Sequence, residues 1–278
     1  MEIKASDVKA LREKTGAGMM ECKKALTETN GDAAAAEKLL KEKGLAAVEK
    51  RAGRTTSEGR VFIKIEGKKA VICELTCETD FVAKNEDFIK IGNDIAAKAL
   101  AKGFTSVNEE LSGMLLDLAT KIRENMSLRR LEIIDIPENA AVSSYVHSDG
   151  KTGVVVVLAA DSAAGTSNAE VQEFAHDCCL HIAAFLPAYI KRDDVDAAYI
   201  AEQTEIFTKQ VAELDKPENV KEGIVQGKIN KHLAEICFLD QPFVKDDKVS
   251  VAKKMEAVAK DAGTKLSLAK VVTYQLGA

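Results

Sequence analysis

The chain has 278 residues, enough for two ordinary domains, and its 46% hydrophobic and 30% charged composition is typical of a globular protein. Its formal net charge of -5, with basic residues spread among acidic ones, argues against a direct nucleic-acid partner. No apolar run reaches the ~18 residues of a membrane helix, so no membrane association is expected.

The first 54 residues predict three short helices joined by tight turns. Ser6 is the expected N-cap of the first helix, which ends at Thr15-Gly16-Ala17-Gly18. A second helix runs from about Met19 to Thr29, and Asp32 is expected to cap a third that ends near Gly44. The result is a small helical bundle.

Two methionines and a lysine follow the glycine turn directly. In one interpretation Met19 and Met20 fill the bundle core and Lys23 is solvated. In the other, the methionines form a flexible, polarisable contact surface beside a charge. The polar residues 49–59 then predict a linker to the rest of the chain.

From residue 55 onward, the chain predicts a unit that occurs twice: two strands, helices and a third strand. The first hairpin leads through a loop, Thr79-Asp80-Phe81-Val82, into a helix from about Glu86 to Lys102, and another helical segment is expected from about Glu109 to Asn125. The second leads through the bland residues 162–167 into a helix from about Asn168 to Leu186. The fold class is therefore α+β, with a duplicated strand-strand-helix-strand core. Since the second junction has no Asp-Phe pair, the first pair needs a reason other than topology.

An antiparallel helical hairpin, about residues 192–236, is inserted in the second copy and broken at Asp215-Lys216-Pro217. Its thin apolar faces favour a partner, so homodimerisation or a 2:2 complex is one alternative and a free arm is the other. The domains expected are 1–54, 55–140 and 141–278, with the hairpin in the last.

The sequence offers little chemistry of its own. The phosphate-binding pattern Gly-x-x-x-x-Gly-Lys-Ser/Thr is absent, so no nucleotide or other cofactor is expected. The histidines and cysteines of the helix at 168–186 lack a second ligand pair, so no metal is expected either. A thiol oxidoreductase using Cys73 and Cys77 is an alternative, but roughly 13 Å separates residues so spaced along a strand. The cysteine pattern indicates reduced thiols and a cytoplasmic location.

Two stretches resemble the signature motifs of the elongation factor Ts family. They are Leu11-Arg12-x-x-Thr15-Gly16-Ala17-Gly18-Met19-Met20-x-Cys22-Lys23-Lys24-Ala25-Leu26 and Glu74-Leu75-Thr76-Cys77-Glu78-Thr79-Asp80-Phe81-Val82-Ala83-Lys84. The resemblance covers nearly the whole chain. It implies that the N-terminal bundle is ubiquitin-associated-like and that the duplicated core carries the helical hairpin. Many members have a further helical tail beyond the position of Ala278, where this sequence stops.

The family exchanges guanine nucleotides on elongation factor Tu, the GTPase that delivers aminoacyl-tRNA to the ribosome. The resemblance implies that the bundle residues contact the GTPase domain of Tu and that the Asp-Phe pair reaches its nucleotide pocket near the magnesium. It also implies that a histidine of the second copy docks on a separate domain of Tu. The Tu-binding residues so implied are Arg12, Met19, Met20, Lys23, Thr79, Asp80, Phe81, Val82 and His147, with Met126 as a further candidate.

The activity implied is exchange without covalent chemistry, so the protein is not expected to be an enzyme. An adaptor that binds some other chain is the alternative from a different class.

Overall fold

A computed structural model describes residues 3–278 of the chain, which divides into two compact units. One unit extends to Asp135 and includes Ser148–Thr152 and Tyr274–Ala278; the other comprises Ile136–His147 and Gly153–Thr273. Helices and strands are mixed in both units and a helical region comes first, which confirms the α+β class. Every helix among residues 3–278 is too short or too polar to span a lipid bilayer.

Three helices form the N-terminal region. Their bounds are α1 (Ala5–Thr15), α2 (Met19–Glu28) and α3 (Ala33–Arg51). Asp32 caps α3 as predicted, since its carboxylate accepts hydrogen bonds from the N–H groups of Ala34 and Ala35 at 2.9 and 3.0 Å. The helices pack around a small apolar core made of Val8, Leu11, Cys22, Ala25, Leu26 and Ala36.

Three expectations for this region are wrong. Ser6 does not cap α1, because the N-cap position belongs to Lys4 and Ser6 lies within the first turn. Helix α3 does not end near Gly44 but continues to Arg51. The missing side chain of Gly44 lets α3 approach Thr120 closely, so this glycine serves packing rather than helix termination. The expected linker at 49–59 is consequently helical at its start and part of a strand at its end.

The first sheet follows the helical region. The elements are β1 (Glu58–Glu66), β2 (Lys69–Cys77), α4 (Asp80–Ala83), α5 (Glu86–Lys102), α6 (Glu109–Gly113), α7 (Leu116–Ile122) and β3 (Met126–Asp135). The strands are antiparallel in the order β1-β2-β3. Helix α5 has the predicted bounds, and Asn85 caps it by accepting from the N–H of Asp87 at 2.8 Å. A single helix expected over 109–125 is instead the two short helices α6 and α7.

The second sheet has the order β4-β5-β8, and a two-stranded sheet joins β6 to β7. The elements are β4 (Ala140–Val146), β5 (Thr152–Ala160), α8 (Ala163–Thr166), α9 (Ala169–Phe185), α10 (Ala197–Ala212), α11 (Glu218–Ile236), β6 (Pro242–Phe243), β7 (Asp246–Ser250), α12 (Val251–Asp261) and β8 (Leu266–Gln275). Helices α10 and α11 form the inserted hairpin. Helix α12 was not expected from the sequence. The order β4-β5-α8-α9 repeats the order β1-β2-α4-α5.

Candidate functional site

The Asp-Phe pair lies on α4, a single helical turn between β2 and α5, where the sequence had suggested a loop. Thr79 is the N-cap, and its hydroxyl oxygen accepts a hydrogen bond from the N–H of Val82 at 3.4 Å. Val82 and Ala83 are buried in the core of the first sheet, whereas the side chain of Phe81 is 82% exposed. The turn is therefore anchored on one side and presents an aromatic ring on the other.

Asp80 occupies the first position of this turn and is partly exposed. Its Oδ2 accepts a hydrogen bond from Nζ of Lys84 at 2.7 Å, one helical turn later. This hydrogen bond holds the pKa of Asp80 below its ordinary value. The site thus carries a carboxylate, ionised at neutral pH, beside an exposed ring.

Glu124 holds the entry to this turn, a role that sequence reasoning missed. Its Oε2 accepts from the N–H groups of Glu78 and Thr79 at 3.1 Å each, and its Oε1 accepts from the hydroxyl of Thr79 at 2.7 Å. The partners are more than forty positions apart in the chain, and no local motif signals such a pairing. The sequence indicates only that Glu124 is an acidic residue between a helix and a strand.

The equivalent turn of the second sheet, α8, has the same construction. Ser162 is its N-cap and accepts from the N–H of Gly165 at 3.2 Å. The two positions after the cap are Ala163 and Ala164, where α4 has Asp80 and Phe81. The backbone of this junction therefore forms without an acidic or aromatic side chain.

The predicted bundle residues are on the surface. Met19 and Met20 are 44% and 76% exposed, so the interpretation that they fill the bundle core is wrong. Arg12 and Lys23 are exposed as well. These four residues belong to the same unit as α4.

The remaining two candidates differ in their surroundings. His147 is exposed at the end of β4, in the second unit, and its Nδ1 lies 3.2 Å from the hydroxyl of Tyr145. Met126 is buried at the start of β3, within the core beneath α4 and α5. A buried methionine there supports the site from inside rather than at its surface.

The structure argues against a reactive thiol at Cys73 or Cys77 and against a metal site built from histidines and cysteines. Burial raises the pKa of both Cys73 and Cys77 to about 12, which keeps the thiols protonated and unreactive. All six cysteines are buried with free thiols. Among residues 3–278, no group of three or more His, Cys, Asp or Glu side chains is arranged to hold a metal ion.

Comparison with known proteins identifies the family. The family model described as Elongation factor TS matches residues 78–278. Elongation factor Ts of Treponema denticola is 65% identical over 277 residues, with 100% of this chain and 99% of that protein covered. Elongation factor Ts of Treponema pallidum is 53% identical over 288 residues, with 100% and 99% covered. The same factor from Borrelia hermsii is 40% identical over 278 residues, with both chains fully covered. The chain therefore belongs to the elongation factor Ts family, whose members are translation elongation factors.

Proposed function

We propose that this chain promotes GDP release from elongation factor Tu by inserting Asp80 and Phe81 beside the magnesium and phosphate end of the Tu nucleotide pocket. GTP then rebinds to the emptied pocket. The observation that carries the proposal is the 82% exposure of Phe81 on a turn that is capped by Thr79 and anchored by Val82. Such a ring enters a partner's pocket at low conformational cost, because its backbone is already fixed.

The chemistry of the partner's pocket explains why a small insertion is enough. Magnesium requires near-octahedral oxygen ligands, and bound GDP depends on that ion and on contacts to its phosphates. A ring that displaces the pocket wall disturbs this geometry. The carboxylate of Asp80 adds a charge that competes for donors or disfavours the existing arrangement of the ion. Acting together, the two side chains loosen the phosphate end first.

Thermodynamic linkage then sets what the exchange requires. This chain must bind nucleotide-free Tu more tightly than the GDP complex, and each ligand weakens the other by the same factor. A coupling of about 4 kcal/mol corresponds to roughly a thousandfold change in affinity. No bond is made or broken, so the proposed activity is exchange and not covalent catalysis.

The remaining contacts with Tu are proposed because their residues are exposed. The exposed residues of the N-terminal bundle, called the bundle surface, contact the GTPase domain of Tu, and His147 contacts a separate domain. Flexible methionine side chains suit a surface that must adapt to a moving partner. Val82 and Met126, which the resemblance implies as Tu-binding residues, are buried, and we propose that they act by supporting α4 from the core. The exposed members of the bundle surface are Arg12, Met19, Met20 and Lys23.

The proposal extends to domains and assembly. Residues 1–54 act as a ubiquitin-associated-like bundle, 55–140 and 141–278 as the two core subdomains, and the α10–α11 hairpin as a dimerisation or 2:2 assembly surface. Ile206 and Val220, both about 40% exposed, leave apolar surface on the hairpin that a second copy would cover.

Release of mant-GDP from Tu tests the central step. Phe81→Ala should lower the maximal stimulated rate by about tenfold or more, because burial of the ring in a pocket supplies roughly 1.5–3 kcal/mol. Asp80→Ala should lower it too. Stopped-flow fluorescence at saturating factor gives the rate, and a pull-down with Tu confirms binding.

Phe185→Ala is the matched control, since this phenylalanine is also exposed, at 55%, but lies at the end of α9. It should keep the parent rate. Folded Phe81→Ala and Asp80→Ala variants that bind Tu and release nucleotide at the parent rate would rule out the proposed insertion.

A further inference from the structure

We infer that three consecutive residues, Arg123-Glu124-Asn125, are positioning residues for two Tu-binding segments. They hold the α4 turn and the exposed face of α2, called the α2 surface (Met19, Met20 and Lys23), in one fixed arrangement. We call them the 123–125 clamp. They connect the end of α7 to β3, and none of them is among the residues proposed to touch Tu. The inference rests on the proposed function, because it concerns how the two Tu-binding segments of the first unit are aligned.

The middle residue of the clamp fixes α4. Glu124 accepts all three hydrogen bonds described above, from the N–H groups of Glu78 and Thr79 and from the Thr79 hydroxyl. A carboxylate that accepts backbone N–H groups makes strong, charge-assisted hydrogen bonds. Thr79 in turn caps the turn that carries Phe81. A residue that is remote in sequence thus holds the N-cap of the turn that bears the exposed ring.

The first residue of the clamp fixes the start of α2. The guanidinium of Arg123 forms an ion pair with Oε2 of Glu21, and the same oxygen accepts from the N–H of Gly18 at 3.1 Å. Gly18 is the N-cap of α2 and directly precedes Met19. Arg123 has φ 67°, a left-handed conformation that is uncommon for a residue with a side chain. This conformation ends α7 and lets adjacent side chains reach different elements.

The third residue of the clamp fixes the connection that leaves α3. The Nδ2 of Asn125 donates to the carbonyl oxygens of Ala52 and Arg54 at 3.2 and 2.8 Å. Its backbone N–H donates to Oε1 of Glu78 at 2.6 Å, beside the hydrogen bonds of Glu124. The clamp therefore contacts the entry to α2, the exit from α3 and the entry to α4.

A two-segment contact needs this kind of alignment. If the α2 surface and α4 moved independently, binding to Tu would have to order both, and the ordering would weaken the complex with nucleotide-free Tu. In enzymes, displacement of a reacting group by about 1 Å can lower a rate about a hundredfold, and we expect the insertion of a side chain into a pocket to be sensitive to position as well. The clamp removes this freedom before Tu binds.

The matched substitutions at position 124 test the inference. Glu124→Ala removes all three acceptors and should lower the saturating rate of mant-GDP release about tenfold. Glu124→Gln keeps an oxygen for the two N–H groups, while its amide donates to the Thr79 hydroxyl, so it should stay within about threefold of the parent. In a chain that already carries Phe81→Ala, Glu124→Ala should lower the saturating rate of mant-GDP release by less than about twofold, because both substitutions act on the insertion of Phe81.

A second ion pair of α7 provides the control. Lys121 pairs with Asp87 of α5 at 2.7 Å, and neither residue belongs to α2 or α4. Arg123→Ala should raise the half-saturating concentration of factor about two- to fivefold, since loss of an ion pair between two exposed side chains loosens only the start of α2. Asp87→Asn should leave it unchanged. Equal effects of the two changes would overturn the role of Arg123.

Amide hydrogen exchange in the chain without Tu separates the inference from the proposed function. Glu124→Ala should speed exchange at the Glu78 and Thr79 amides while thermal unfolding shows a folded protein. Unchanged protection there, or a parent-like release rate despite its loss, overturns the clamp. If the parent chain fails to stimulate the release of mant-GDP from Tu, the proposed function is wrong. The protection of the Glu78 and Thr79 amides still decides whether the clamp exists.

Discussion

Phe81 and Val82 are neighbours that face opposite environments. Successive residues of a helix are about 100° apart, so one turn can bury one side chain and expose the next. Leaving the Phe81 ring in water forgoes roughly 1.5–3 kcal/mol that burial would supply. The ring is 82% exposed and Val82 only 7%. Apolar burial at Val82 therefore contributes to folding, whereas the Phe81 ring stays available for the contact with Tu that we propose.

His181 is the clearest titratable group in the core of the second unit. It is fully buried on α9, and its Nε2 donates to Oε1 of Gln241 at 2.8 Å. The N–H of Val244 donates to its Nδ1 at 3.2 Å. Burial lowers the pKa of His181, and the hydrogen bond with Gln241 opposes only part of that effect. The ring is consequently neutral, because protonated Nδ1 would face another donor.

This geometry predicts a loss of stability in mild acid. The unfolded histidine takes up a proton below its ordinary pKa of about 6.5, while the folded one resists, so the unfolded state binds more protons. The free energy of unfolding should therefore fall as pH drops below about 6.5, by at most about 1.4 kcal/mol per pH unit from this group. Urea unfolding between about pH 7.5 and 5.5 measures it.

His181→Gln should flatten that pH dependence even if it lowers stability at every pH. The exposed-histidine control His176→Gln leaves the buried imidazole in place and should keep the loss. Parallel curves for the parent and His181→Gln would show that another group is responsible.

The residue scale also shows what a sequence can reveal. Thr79, Asp80 and Phe81 stood out because a repeated unit lacked the same pair. Glu124 did not stand out, because its role depends on two N–H groups that only the folded chain brings within reach. Exposure of Met19 and Met20 was equally undecided, since helical spacing alone did not distinguish core from surface.

At the scale of elements, Gly44 in α3 makes a strong prediction. In an exposed helix, Gly→Ala stabilises by about 1 kcal/mol. A Cβ at Gly44 would instead overlap the side chain of Thr120, so Gly44→Ala should destabilise the protein by about 1 kcal/mol or more. Chemical denaturation gives the difference, and adding Thr120→Ala should recover most of the loss.

Gly223 in α11 is the matched position, because a Cβ there meets no atom within 4 Å. Gly223→Ala should stabilise by about 0.5–1 kcal/mol. If Gly44→Ala stabilised to the same extent, close packing of α3 against α7 would not explain the continuation of α3.

Helix ends were predictable where side chains encode them. Asn85 caps α5, and Gly103 ends it with φ 69°, so both bounds followed from the sequence. The break between α6 and α7 and the existence of α12 did not follow. Short amphipathic segments such as these depend on tertiary packing more than on propensity. Gly44 misled for the same reason, since a packing glycine and a terminating glycine look alike in a sequence.

At the scale of the molecule, we predict self-association through the α10–α11 hairpin. Light scattering should give a dimer, or a 2:2 complex with Tu, at micromolar concentration. Ile206→Glu together with Val220→Glu should halve the measured mass, because two charges would be buried in the contact. Val107→Glu, at a similarly exposed apolar residue, should leave the mass unchanged. A monomer in the parent would favour the free-arm alternative.

The α+β class, the helical hairpin and the hairpin of the first two strands could be predicted from hydrophobic period and turn residues. The two-strand sheet β6-β7 could not, because one of its strands has only two residues. Unit boundaries are also invisible locally: the first unit gains Ser148–Thr152 and Tyr274–Ala278 from distant parts of the chain. Long-range pairing of this kind leaves no trace in a local pattern.

The two capped turns, α4 and α8, allow a comparison within one protein between a turn with an acidic and an aromatic side chain and a turn without them. Both turns start from a hydroxyl cap, yet one bears Asp80 and Phe81 and the other Ala163 and Ala164. The same capped backbone therefore accommodates two different pairs of side chains at the two positions after the cap. In protein engineering, Ala163 and Ala164 of α8 are therefore positions where side chains that bind a new partner can be introduced while the backbone of the turn is kept.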